Sequence, residues 1–218
     1  LQIAPPPKNI IMLSFFKSSK KKTPKKGKAF YHRENLIQTI KELNNCLDHL
    51  GSSITTKTSC NILFQGFELD AIVEKNLEND CGEESFCLEP GGEISDHKIY
   101  YYRISSQHLR FLIQIHFIDG QFFFAATKVY SDALLSSIDK QRVLKQIITK
   151  YYPDADEQTI EFDIEDSKGN ILYTRDDVYY YIQYLANNST SQKLKKQYSG
   201  YKGPKPSEEI KDTLYRLI

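Results

Sequence analysis

The side chains in this chain that could do chemistry are five histidines, four cysteines and a few clustered acids. Nucleophilic catalysis needs a nucleophile, a base and an orienting group that converge. His116 offers the best start. In an alternating run it shares a sheet face with Gln114, Arg110 and, across a hairpin, Phe123. That face is polar enough to hold a site, and the solvated side of any sheet carries the same residue types. His32, His49, His97 and His108 lie elsewhere along the chain. Glu89 and Glu93 flank Pro90-Gly91-Gly92, but paired acids around a turn are common and unspecific.

Metal chemistry is no better supported. Cys81 and Cys87 sit in an acidic loop, with Asp96 and His97 further on. Structural zinc favours closer Cys pairs and usually a second pair. Cys46 and Cys60 read as structural thiols on a helix and a strand. Asp154, Asp156, Gln158 and Glu165 match positions 1, 3, 5 and 12 of a calcium loop, but Thr159 stands where the sharp turn needs Gly. Neither phosphate-binding glycine motif is present, and Lys25-Lys26-Gly27-Lys28 is not fed by a strand. No catalytic residue, metal site, cofactor or small-molecule substrate is therefore assigned.

Charge is more informative. The net charge is only +1, yet residues 1–33 carry nine Lys or Arg and no acid. Residues 34–90 and 151–190 are strongly acidic, and residues 191–218 are basic again. Basic ends on a near-neutral body suit contact with an anionic membrane or a nucleic acid, and they also suit a solubilising tail. Phe15 and Phe16 stand directly before Lys17, Lys20, Lys21, Lys22, Lys25, Lys26 and Lys28. The aromatic pair can enter the headgroup boundary while the lysines meet anionic lipid. This favours a membrane surface over nucleic acid. Met12 is the sole methionine and a plausible native start, so residues 1–11, with Pro5-Pro6-Pro7, are set aside from fold reasoning. The short apolar segment precedes its charges, unlike a secretory signal. The expected location is the cytoplasm, peripheral to the membrane, with reduced cysteines.

Fifteen Tyr and no Trp is a skewed aromatic choice. Tyr100, Tyr101 and Tyr102 fall on a predicted strand. Tyr179, Tyr180 and Tyr184 fall on a predicted helix, with Tyr180 and Tyr184 four residues apart beside its core face. Tyr suits a protein interface, so these three form the expected contact with a protein partner. Tyrosines can also stack bases, but the acids nearby oppose that.

These side chains need elements to hold them. Leu36, Ile40, Leu43, Leu47 and Leu50 line one face of a helix over 34–50, closed by Gly51. Two strands are expected around Gln65-Gly66, and a short one near 85–88. The strongest signal is the alternation at 109–118, then Asp119-Gly120, then Phe122, Phe123 and Phe124. A two-residue turn there pairs Phe117 with Phe122, Ile115 with Phe124 and Ile113 with Ala126. Phe111, Ile113, Ile115, Phe117, Phe122 and Phe124 then share the core face. A helix or broken pair follows over 131–152, with Asp139 as an internal cap. Strands are expected at 160–164 and 171–173, then a helix opening at Thr174 with Val178, Tyr181, Ile182 and Leu185 buried.

The order of elements predicts an α+β fold: a mostly antiparallel sheet of about five to seven strands with helices on one face. The expected division is a basic tail over 1–28, one globular domain over 29–186, a polar linker over 187–206 and a short helix over 207–218. The first functional expectation is a non-enzymatic interaction or adaptor-type protein. Its basic N-terminal tail touches an anionic membrane surface. A nucleic-acid-binding protein using the basic tails is the alternative, and an enzyme of unassigned class near His116 is the third.

Overall fold

The Asp119-Gly120 turn forms as its residues demand. Both take positive φ, 50° and 70°, the left-handed conformation that a two-residue hairpin turn requires. In this computed structural model, residues 26–52, 56–132, 134–151 and 161–201 are described. The turn joins two long strands, β6 (Leu109–Ile118) and β7 (Gln121–Ser131). Phe117 lies opposite Phe122, as expected. Beyond that pair the register shifts. His116 faces Phe124, Ile115 faces Ala125 and Ile113 faces Thr127. Phe123 is the extra residue of a bulge, so Phe123 and Phe124 both turn away from Phe122 and join another core cluster. The expected pairings of Ile115 with Phe124 and Ile113 with Ala126 are thereby corrected, and Phe124 changes face.

Around this hairpin lies an eight-stranded, mostly antiparallel sheet in an α+β fold. Its further strands are β1 (Thr56–Lys57), β4 (Phe86–Leu88), β5 (His97–Ser106), β8 (Asp163–Glu165), β9 (Ile171–Asp176) and β10 (Tyr180–Leu185). The strand order is β1-β8-β9-β10-β7-β6-β5-β4, and only β1 and β8 run parallel. A separate small hairpin, β2 (Leu63–Phe64) and β3 (Phe67–Glu68), turns at Gln65-Gly66. The sheet has more strands than expected because 174–185 is not helical. β9 and β10 form a hairpin, and β10 sits between β9 and β7. Alternation of Tyr180, Ile182 and Tyr184, all buried, outweighs the weaker helical spacing.

Helices cover both faces, not one. α4 (Ser137–Tyr151) contributes Ile147 and Tyr151 to the same core cluster as Ile113, Ile115 and Phe117. The other face meets α1 (Lys28–Glu34), α2 (Ile40–Leu47) and α5 (Ser189–Tyr198). The short α3 (Leu77–Cys81) adds Leu77 and Cys81 to the α4-side core. This is why β6 is buried on both faces from Leu112 onward, rather than alternating between core and water.

The expected helix over 34–50 is two helices. The Asn35 side chain accepts from the Ile37 amide at 2.9 Å and breaks the first. Thr39 and Glu42 then form a capping box that opens α2. The expected apolar face survives in Ile40, Leu43, Leu47 and Leu50, all buried. α4 is one helix, opened by Ser136, whose hydroxyl accepts from the Asp139 amide at 3.1 Å. Asp139 is therefore not an internal cap. Leu134 and Ile138, expected on the buried face, are exposed.

The polar stretch expected as a linker holds α5. Asn188 caps it by accepting from the Ser191 amide at 3.0 Å. Leu194 is buried against α2, and Asn44 Nδ2 donates to the Tyr198 carbonyl at 2.9 Å. One apolar anchor was too little for periodicity to register. The short helix expected over 207–218 lies outside the described residues.

Candidate functional site

The face expected to be polar and accessible around His116 is closed. The junction between α1 and α2 lies across it. Gln114 Nε2 donates to the Glu34 carbonyl at 2.5 Å, and its Oε1 accepts from the Leu36 amide at 3.3 Å. His116 is fully buried and His97 is 4% exposed. His116 Nε2 lies 3.3 Å from Gln114 Oε1, an obligate acceptor, so Nε2 carries the proton. His116 Nδ1 must then accept, and His97 Nε2 donates to it across 3.0 Å. Burial lowers His97 to about 4 and pushes His116 well below the usual imidazole range, with His97 adding to the latter. The pair stays neutral and is spent on structure. This face does not present His116 to a substrate.

A second imidazole is also held internally. His49 Nδ1 bonds Asp163 Oδ2 at 3.0 Å, and its ring stacks on Tyr173 with centroids 3.9 Å apart. Arg175 donates to Asp163 Oδ1 at 3.0 Å and approaches His49 Nε2 at 3.3 Å. Burial raises the Asp163 carboxyl, but the bonds from His49 and Arg175 outweigh it and hold it low. Both ring nitrogens of His49 and both carboxylate oxygens of Asp163 have partners inside the protein, which gives this triad the character of a clamp between the end of α2 and β8–β9.

The three expected interface tyrosines separate. On a strand, neighbouring residues point to opposite faces. Tyr180 is fully buried and Tyr184 is 5% exposed, so both are core residues rather than contact residues. Tyr184 meets Phe64 edge-on at 5.2 Å. Tyr179 is 39% exposed. It caps the Lys128 ammonium, 3.6 Å from the ring centroid, and meets Tyr130 and Tyr181 edge-on. The cations of this aromatic patch are neutralised within the fold. Lys128 pairs with Glu34 at 2.7 Å, and Arg110 forks onto Asp132 at 2.8 and 2.5 Å.

Of the expected polyanion contacts, Phe15, Phe16, Lys17, Lys20, Lys21, Lys22 and Lys25 lie outside the described residues. Lys26 and Lys28 are exposed, at the root of α1. That helix is anchored by Tyr31, which stacks on Phe86 at 4.6 Å and accepts at its carbonyl from Tyr101 Oη at 2.9 Å. Lys28 and Arg33 project outward from it, and Lys26, Lys28 and Arg33 make no ion pair among the described residues.

Among the described residues no three His, Cys, Asp or Glu side chains form a metal-holding group. Cys81 is buried and its thiol is pushed up to about 12 by burial, with Asp80 adding to it. Of the calcium-loop residues, Asp154, Asp156 and Gln158 lie outside the described residues, and Glu165 pairs with Lys57.

One concavity was not foreseen. A cavity of about 250 Å³ opens between α4 and the sheet. Ile104, Phe111, Ile113, Thr127 and Ile182 form its sheet side, and Val143 faces them from α4. At its mouth, His108 Nε2 bonds Asp139 Oδ1 at 3.0 Å, and Arg142 lies 3.7 Å from the same oxygen. The Ser136 hydroxyl donates to Asp139 Oδ2 at 2.6 Å and, ahead of His108, holds that carboxyl low. A trace of this site was legible: Thr127 interrupts the apolar run of β7.

The chain matches no family model, no curated protein and no solved structure. The functional reading therefore rests on its own residues.

Proposed function

We propose that this protein is a non-enzymatic interaction module that docks on an anionic membrane surface through its basic N-terminal arm. The observation carrying this reading is α1. It continues the lysine run onto a rigidly anchored helix whose Lys28 and Arg33 are exposed and unneutralised among the described residues, beside Lys26. Exposed cations near anionic lipid contribute roughly 1 kcal/mol each, so the folded part adds to the arm without needing a deep site. No helix among the described residues is long and apolar enough to cross a membrane, and surface binding needs none. The enzyme alternative near His116 loses its support, because that imidazole is enclosed and already bonded. Nucleic acid remains the second reading for the arm, since lysines neutralise phosphates equally well. The aromatic patch does not favour it, as Lys128 and Arg110 are already paired. For a protein partner, Tyr179 is the tyrosine of the expected three that supports a contact.

Sedimentation with vesicles tests this. The full chain should sediment with phosphatidylserine-containing vesicles at low salt, poorly with neutral vesicles, and less as salt screens the charges. The triple change Lys26→Glu, Lys28→Glu and Arg33→Glu should weaken vesicle binding. Changing Phe15 and Phe16 to Ser should weaken vesicle binding while leaving DNA or RNA binding intact. Absence of vesicle binding at low salt removes the membrane reading.

A further inference from the structure

The helix layer of α1, α2 and α5 on one face of the sheet carries cations that no acid answers. On the sheet and on α4 the pattern is different. Lys98 pairs with Glu74, Lys140 with Asp176, Lys168 with Glu68 and Arg175 with Asp163. In the helix layer, Lys26, Lys28, Arg33, Lys41, Lys193 and Lys196 are exposed and make no ion pair among the described residues. The acids beside them are engaged. Glu34 holds Lys128 at 2.7 Å, and Glu42 accepts from the Gln38 and Thr39 amides at 2.7 and 2.9 Å. α5 carries no acid, which leaves Asp48 exposed at the end of α2.

These cations belong to one connected surface. Residues 35–39 join α1 directly to α2. Lys195 Nζ donates to the Leu50 carbonyl at 2.6 Å and ties α5 to the end of α2. Leu194 shares a core cluster with Leu43 and Leu47 of α2, and Tyr31 fixes α1 beside Phe86. With their apolar sides turned to the sheet, the three helices leave their cations on the outer side. The lysine arm enters this same layer at α1, so the folded surface continues the arm. A single-stranded nucleic acid would call for exposed aromatic rings among the cations. The exposed Tyr179 instead lies over Lys128, which Glu34 already neutralises.

We propose that α1, α2 and α5 form a second, folded contact for an anionic lipid surface, so that the domain lies with this helix layer against the membrane and α4 away from it. The proposal rests on the membrane reading of the arm and adds an orientation to it.

The test sediments the full chain with phosphatidylcholine vesicles, with and without phosphatidylserine. Each cation held near anionic lipid is worth about fivefold in affinity. The triple change Lys41→Glu, Lys193→Glu and Lys196→Glu leaves the arm and α1 intact and should weaken binding to phosphatidylserine vesicles at least tenfold. The control Lys75→Glu, Lys145→Glu and Lys150→Glu alters net charge equally on the other side of the sheet, and should weaken binding far less. Urea midpoints report that both variants stay folded. In wild-type protein, bound vesicles should protect Lys41, Lys193 and Lys196 from acetylation by a water-soluble reagent and leave Lys75 and Lys145 reactive. Equal losses in the two triple variants, or equal labelling of the two faces, overturn the orientation while the arm reading stands. No vesicle binding by wild-type protein overturns both. A Lys41, Lys193 and Lys196 variant that loses DNA or RNA binding but keeps vesicle binding assigns the surface to nucleic acid and also overturns the proposal.

Discussion

His97 Nε2 donates to His116 Nδ1 across 3.0 Å, and both imidazoles are neutral inside the sheet. Burial sets the sign of their effect on stability. Between the ordinary imidazole value of about 6.5 and the folded His97 value of about 4, the unfolded chain binds a proton and the folded chain does not. Stability must therefore fall as pH falls through that window, by up to ~1.4 kcal/mol per pH unit for each such group. Urea titrations at pH 7, 6 and 5 should show the loss. His97→Gln should make it shallower, and an unchanged slope would mean that the pair does not titrate this way.

Ile115 is fully buried at the centre of β6, with Tyr100 and Ala125 across from it. Ile115→Ala should destabilise the protein by ~2–5 kcal/mol, through lost transfer free energy and the cavity left behind. A urea midpoint near the wild-type value would contradict its central position.

Tyr179 and Tyr184 should behave oppositely. Tyr184 is buried against Phe64, so Tyr184→Ser should cost ~3–5 kcal/mol, in the range for removing a buried aromatic. Tyr179→Ser removes a partly exposed ring over Lys128 and should cost at most ~1 kcal/mol. Thermal melts of the two variants compare them directly. Equal losses would be inconsistent with a strand at 180–185.

Asn188 does two things at the start of α5. Its Oδ1 accepts from the Ser191 amide at 3.0 Å, and its Nδ2 donates to the Phe122 carbonyl at 2.6 Å. Asn188→Ala should therefore cost ~1–2 kcal/mol and loosen α5 from the start of β7. Amide exchange across Gln192–Tyr198 should quicken. A variant with wild-type protection there would show that α5 needs no such tie.

Local chemistry alone specifies several of these elements. Asp119-Gly120 admits the positive φ of a tight turn, and ten residues of alternation before it leave no other element for 109–118. The Phe117–Phe122 pair follows from that turn alone. The Gln65-Gly66 turn, the short strand near 86–88, the apolar face of α2 and the α+β class were legible for the same reason. Features that depend on a second layer of packing could not be read locally. The bulge at Phe123 depends on a core beneath Phe123 and Phe124, which no local pattern announces. Val178, Tyr181, Ile182 and Leu185 fit a helical stripe, and Tyr180, Ile182 and Tyr184 fit a strand. Pairing with β7 and β9 selected the strand, because it gives the backbone of 180–185 a hydrogen-bonded neighbour on both edges. His116 and Gln114 have polar side chains and read as solvated, yet the α1–α2 junction seals them in with hydrogen bonds to its backbone. The cavity beside Thr127 is bounded by the small hairpin, the sheet and α4, far apart in sequence, so it exists only once those elements are packed together.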